Sequence, residues 1–267
     1  MSIKKILQSS KFKNKYILKL LIKHSFSFTE EELYKNWDKK ISKDILKKIE
    51  KNYKDYEEKK IPIEYILWYT HFMWKKIYVD KNTLIPRVET KYLVNYAYNF
   101  FKKNKEYKIF DIWTWSWVIW NMLNLLTEQK IICSDISEKA LKIAKKNNKN
   151  NIYIKSNLWE HLKNYKWNFL ICANLPYVEE IFQLDEYVKK EPSTALFSWK
   201  DWLTLYRKLL NQLFELDNNI ECFFELTKKQ WETLIKEYKI NWKNLETCHE
   251  NIKILNFSIK KRGNKSS

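Results

Sequence analysis

The chemistry-bearing residues of this 267-residue chain sit at the ends of short apolar runs. The run YKIFDI carries an acid, Asp111, one residue before its end, and WTWSW (113–117) separates it from the helical pattern VIWNMLNLLTEQ. A buried strand, a tight turn and a helix, in that order, form the place where α/β proteins hold a nucleotide. Such a turn carries glycine because backbone N–H groups must approach the ligand. Here Trp113, Trp115 and Trp117 alternate with Thr114 and Ser116, a period-2 pattern that taken literally reads as a strand with one aromatic face. Asp135 stands one residue before the end of the next run, KIICSDI, 18 residues beyond position 117. A carboxylate there can accept from both hydroxyls of a ribose; capping the helix of SEKAL is the plainer alternative. Asp111 is expected to order the turn through backbone N–H groups rather than to do chemistry. A third run, WNFLICANL, leads into Asn174, Leu175, Pro176 and Tyr177. Asn-x-Pro can simply stop a strand, or it can present preorganised acceptors on a turn that proline stiffens. His24, His71, His161 and His249 have no ligand spacing, and Cys133, Cys172, Cys222 and Cys248 form no C-x-x-C pair. Neither a metal nor a disulfide framework is expected.

The elements that must position these residues follow from periodicity. From Ser2 to about Tyr69 the chain reads as short amphipathic helices, such as KYILKLLIKH and SKDILKKIEKNYKDYEEKK, with a capping start over Ser27 to Glu31. Pro62 is expected to close this helical domain, and FMWKKIYVDKNTLIP to form a short β-hairpin linker. The expected divisions are 1–72 helical, 73–90 linker and 91–267 α/β. A helix, TKYLVNYAYNFFKK, precedes alternating strands and helices: YKIFDI, VIWNMLNLLTEQ, KIICSDI, SEKALKIAKKNN, NIYIKS and WNFLICANL, then TLYRKLLNQLFEL, IECFFEL, QWETLIKEY and IKILNFSIK. That alternation predicts a doubly wound, mostly parallel α/β sheet with its ligand at the carboxyl ends of the strands. No internal repeat is present, and the tail RGNKSS reads as disordered.

A hydrophobic fraction of 45%, no apolar run of about 18 residues and no signal-peptide core point to a cytoplasmic globular protein. The net charge of +18 comes almost wholly from lysine, since arginine occurs only at Arg87, Arg207 and Arg262. Lys, Asn and Ile richness is what an A+T-rich gene encodes, so the charge is weak evidence for nucleic acid, although it would steer the protein toward polyanions. More unusual is one Gly against 13 Trp. With glycine in place of tryptophan the turn reads DIGTGSGVIG, YILWYTHF becomes YILGYTHF, FSWKDWLTLYRKLL becomes FSGKDGLTLYRKLL and KKQWETL becomes KKQGETL, each with better turn or cap chemistry. A gene that uses UGA for glycine, translated here as tryptophan, accounts for both anomalies.

On that reading the chain resembles the HemK/PrmC family, the protein-glutamine methyltransferases that modify peptide-chain release factors. The resemblance runs from about Lys13 to the last strand. It is carried by LIPRVET (84–90), the turn 111–117, SDISEKAL (134–141), ANLPY (173–177), EPSTALFSWKDWL (191–203) and ELTKKQWE (225–232). It implies a Rossmann-like class I methyltransferase domain, a small N-terminal helical domain that grips the release factor, and S-adenosyl-L-methionine as cofactor.

The resemblance also implies roles. Positions 113–117 receive the methionine part of the cofactor, which three indoles would displace. Asp135 with Ile136 holds the ribose. Asn157, where relatives carry Asp, contacts the adenine amino group, and Leu158 packs beside the ring. The Asn174 side-chain oxygen and the Leu175 backbone carbonyl, where relatives more often have Pro, accept from the NH₂ group of the substrate glutamine; Tyr177 packs on the amide. LIPRVET closes over the cofactor with Arg87 and Glu89 paired on the substrate side, while Glu191, Pro192, Asp201 and Gln230 shape the cleft. If UGA is a sense codon, the partner is the factor that reads UAA and UAG, met by a monomeric enzyme. The alternative is an adenine methyltransferase acting on ribosomal RNA or DNA, which shares Asn-Leu-Pro-Tyr and fits the basic charge. LIPRVET and the helical N-terminal domain do not fit it. A literal Trp-filled turn would imply a non-catalytic binding module.

Overall fold

A computed structural model of the protein describes residues 1–112, 117–156, 162–163, 165–176, 184–196, 203–239, 242–249 and 252–261. It divides into two compact units, Met1–Tyr69 with Asp185–Lys190, and Thr70–Leu184 with Glu191–Ser267.

The smaller unit is helical: α1 (Ile3–Gln8), α2 (Lys15–Phe26), α3 (Glu30–Lys35), α4 (Lys43–Glu57) and α5 (Ile63–Leu67). Each start has a local cause. Asn14, Thr29 and Ser42 cap α2, α3 and α4 through their side chains, and Thr29 with Glu32 completes a capping box. Apolar positions three and four apart, Ile17, Leu18, Leu21 and Ile22, bury one face of α2 against Ile3, Leu33 and Ile49. Pro62 does not close this unit. It stands at the N-cap of α5, where its fixed φ, here −51°, suits a helix start and its missing N–H is not needed. Tyr187, from the returning segment, stacks on Tyr56 with ring centroids 4.8 Å apart.

In the larger unit the hairpin β1 (Tyr69–Phe72) and β2 (Lys75–Tyr78) precedes α6 (Thr90–Lys103), β3 (Tyr107–Ile112), α7 (Val118–Thr127), β4 (Ile132–Asp135), α8 (Glu138–Asn147), β5 (Ile152–Lys155) and β6 (Asn168–Ala173). Then come α9 (Ser193–Leu196), α10 (Thr204–Glu215), β7 (Ile220–Thr227), α11 (Lys228–Tyr238), β8 (Trp242–His249) and β9 (Ile252–Ile259). The hairpin is no separate linker. Ile77 and Val79 are buried, and the Asn147 side chain of α8 bonds both the N–H and the C=O of Tyr78, at 2.7 and 2.9 Å.

The seven-stranded sheet has the order β5-β4-β3-β6-β7-β9-β8, parallel from β5 to β7 and antiparallel at β9 and β8. This is a doubly wound, mostly parallel α/β sheet. Strand β8 has no counterpart among the expected elements. WKNLETCH offers no apolar run, and among the described residues β8 pairs only with β9, so it forms an edge. The core under the sheet joins Phe110, Phe169, Ile171 and Phe224 to Leu209, Leu210 and Leu213 of α10.

Two tryptophans hold left-handed backbone: Trp68, the C-cap of α5, at φ 65°, and Trp117, before α7, at φ 52°. That region disfavours any side chain with a Cβ by about 1–2 kcal/mol per residue. The indole N–H groups of Trp117, Trp120 and Trp231 are buried with no hydrogen-bond partner among the described residues. Trp68 and Trp74 are exposed.

Candidate functional site

The carboxyl ends of β4, β3 and β6 lie side by side. Ile112 pairs with Ser134 on one flank and Ala173 on the other, so Asp135 and Asn174 are the residues that follow on either side of the first strand. The chain leaves β3 toward β4 and later returns to β6 on the opposite flank, which makes the β3/β6 boundary the topological switch point where such sheets bind ligands. Of the expected site residues, Asp111, Trp117, Asp135, Ile136, Asn174, Leu175 and Pro176 belong to this edge. Trp113, Thr114, Trp115, Ser116, Asn157, Leu158, Tyr177 and Asp201 lie outside the described residues, as does the tail RGNKSS.

Asp111 is buried between Cys133 and Cys172, its ladder partners on β4 and β6. Burial first and this carboxyl second push both thiols well above their ordinary range, so neither is a nucleophile at neutral pH. Asp135 is 2% exposed; its Oδ1 accepts from the Ser137 N–H at 2.7 Å. Ser137, not Asp135, caps α8. Burial lifts the Asp135 carboxyl to about 7, held back by the N–H groups of Ser137 and Ile136. Its Oδ2 is buried with no partner among the described residues. An orphaned acceptor at the end of the second parallel strand of the site is what a ribose diol would satisfy, and the adjacent Ile136 exposes an apolar side chain, 44% accessible, for a base.

Asn174 is half-buried and fully engaged through its nitrogen. Nδ2 donates to Glu225 Oε1 on β7 at 2.9 Å and to Thr90 Oγ1 at the start of α6 at 3.3 Å. The Leu175 N–H donates to the Tyr206 hydroxyl at 3.1 Å, and that hydroxyl donates to the Glu225 carbonyl at 2.6 Å. Pro176 is buried beside them. Thr90, Tyr206 and Glu225 were not singled out in the sequence, although Thr90 and Glu225 stand inside LIPRVET and ELTKKQWE.

Arg87 does not pair with Glu89. Its Nη2 donates to Glu191 Oε1 at 2.7 Å, while Glu191 Oε2 accepts from the Ile85 N–H at 2.9 Å. The Glu191 side chain is 1% exposed and therefore requires a cation; Glu89 stands instead at the N-cap of α6 without a side-chain cap bond. Arg87→Ala should destabilise the fold by about 2 kcal/mol, the scale of a hydrogen bond to a buried charge. Arg87→Lys should lose less. Urea unfolding measures both, and an unchanged midpoint in Arg87→Ala would remove the clamp from the account.

No protein-family model matches the chain. It is 35% identical over 207 residues to the release factor glutamine methyltransferase of Borreliella burgdorferi, covering 74% of this chain and 70% of that one. It is 29% identical over 253 residues to the release factor glutamine methyltransferase of Mycoplasma mycoides, covering 84% and 89%. The hMettl16 catalytic domain, solved with a 3′UTR hairpin, shares the fold at a TM-score of 0.55 over 84% of each chain, with 11% identity. No helix among the described residues is long and apolar enough to cross a membrane. Borreliella's enzyme and this chain match at a level and over a length that settle kinship: the chain belongs to the release factor glutamine methyltransferase family.

Proposed function

We propose that this protein transfers a methyl group from S-adenosyl-L-methionine to the side-chain amide nitrogen of the glutamine in the Gly-Gly-Gln motif of a peptide-chain release factor. The observation that carries the reading is Asn174, whose two amide hydrogens are committed to Glu225 and Thr90, so that Oδ1 is the end left to accept. A glutamine amide is a poor nucleophile because its nitrogen lone pair is delocalised into the carbonyl. Acceptors on both hydrogens of its NH₂ group favour loss of that resonance and aim the lone pair. Asn174 Oδ1 and the Leu175 carbonyl supply them, on a turn stiffened by Pro176; Tyr177 would pack on the amide plane. S-adenosyl-L-methionine supplies an electrophilic methyl group on a sulfonium sulfur. The methylated nitrogen then sheds its proton to water.

Asp135 and Ile136 would hold the ribose and adenine, with positions 113–117, Asn157 and Leu158 completing the pocket. We further propose that glycine stands at the tryptophan positions of the native chain. Trp68 and Trp117 in left-handed backbone, and the buried indole N–H groups of Trp117, Trp120 and Trp231 without hydrogen-bond partners among the described residues, support this. The helical unit would grip the factor that reads UAA and UAG, one monomer to one factor.

Incubation with release factor and cofactor carrying a labelled methyl group tests the reaction. Label should pass to the factor, and a factor reading Gly-Gly-Ala should take up none; equal labelling of that variant would overturn the substrate assignment.

The Asp135 carboxyl gives a separate expectation. Its folded pKa of about 7 lies above the ordinary 3.8, so as pH rises the unfolded chain gives up this proton first. Stability is therefore expected to fall as pH rises from about 4 to about 7, and to fall less in Asp135→Asn. Denaturant unfolding at both ends of that window measures it. An identical pH dependence in Asp135→Asn would mean that Asp135 does not titrate as a buried acid.

A further inference from the structure

An asparagine amide can face either way, and only one orientation presents an acceptor to a substrate NH₂ group. The sheet supplies what decides. Ala173 of β6 pairs with Phe224 of β7, so the next residue on β7, Glu225, comes up beside Asn174. Glu225 is 0% exposed, and its ladder partner on β9 is the apolar Ile254. An ionised carboxylate only accepts. With Nδ2 toward Glu225 the pair makes a charge-assisted bond at 2.9 Å; with Oδ1 toward it, two acceptors would face each other. The same residue reaches the neighbouring peptide, since its backbone carbonyl accepts from Tyr206, whose hydroxyl holds the Leu175 N–H.

We propose that Glu225 is a positioning residue: its carboxylate orients the Asn174 amide with Oδ1 toward the substrate, and its backbone carbonyl, through Tyr206, fixes the peptide that carries the second acceptor. This rests on the reaction proposed above. The groups that face the carboxyl are Thr90 at the start of α6, Glu89 and Arg87 on the segment before it, and Asn174 on β6. Burial lifts Glu225 to about 7; the Thr90 bond opposes this, Glu89 adds to it, and Asn174 and Arg87 oppose it. Once protonated, Glu225 can donate, and the amide is free to turn over.

Two readouts test the proposal. The first needs no substrate: protection of the Asn174 side-chain NH₂ protons from exchange, followed by NMR against a free amide at the same pH, should be high at pH 8 and fall below about pH 7, and Glu225→Gln should abolish that fall. Protection that is insensitive to pH and to Glu225→Gln would overturn the proposal, whatever the enzyme methylates. In the chain with glycine at positions 113, 115 and 117, Glu225→Gln should lower kcat about 10²-fold. KM for release factor and the unfolding midpoint should stay unchanged, and the rise of kcat through pH 7 should disappear. A variant with parent kcat and pH profile would overturn it. Loss of amide protection in Glu225→Gln, beside a parent enzyme that leaves release factor unmethylated, would keep the positioning role and remove the reaction.

Discussion

Asn174→Ala is expected to slow methyl transfer to release factor about 10³-fold while leaving cofactor affinity within about twofold, as loss of a preorganised group aimed at the reacting atoms does elsewhere. The physical ground is narrow. In the proposed reaction, truncation would remove one of two acceptors on the glutamine NH₂ group; it also strips Glu225 and Thr90 of the hydrogen bonds from Nδ2. Asn174→Asp should be almost as damaging, because a second carboxylate 2.9 Å from Glu225 Oε1 would be protonated or repelled, and in neither state does it reproduce the amide. Single-turnover kinetics with calorimetry separates the two effects. A rate within about tenfold of the parent would mean that Asn174 is a strand-end turn and that the acceptor lies elsewhere.

The second large effect is a gain. Replacing Trp113, Trp115 and Trp117 together by glycine is expected to raise affinity for S-adenosyl-L-methionine by about 10²–10³-fold, a change of about 3–4 kcal/mol. Glycine restores the backbone approach that a strand–turn–helix nucleotide site needs. Stability should change far less. At Trp117, relief of left-handed backbone returns about 1–2 kcal/mol and removal of a buried unsatisfied indole N–H about 1–3 kcal/mol. Against them stands about 3–5 kcal/mol for emptying a buried tryptophan's volume. The terms nearly cancel, so binding rather than melting is the readout. Equal cofactor affinity by calorimetry before and after substitution would contradict the glycine reading.

The parts of this molecule visible in its sequence are those governed by local physics. The apolar runs of β3, β4, β6 and β7 alternate with amphipathic helices, and each appears within a few residues of its expected place because burial on both faces leaves a continuous hydrophobic signature. Polar β8 lacks that signature, since an edge strand is specified by its partner rather than by its own residues. Pro62 was misread because proline both ends helices and begins them, and only the chain after it decides which. The site divided in the same way. Asp135, Asn174 and Leu175 stand at the strand ends where the sequence places candidate residues, whereas the side chains packed against them could not be named. Arg87 meets Glu191 across 104 positions and Asn174 meets Glu225 across 51, contacts fixed by strand order and helix packing that no local pattern encodes.

The central claim is that this chain methylates one glutamine nitrogen. Its most direct test is the peptide mass spectrum of the UAA/UAG-reading release factor after incubation with S-adenosyl-L-methionine and the enzyme made with glycine at all 13 tryptophan positions. The account predicts a single added methyl on the glutamine of Gly-Gly-Gln. An unmodified glutamine, with the cofactor demonstrably bound, would contradict it.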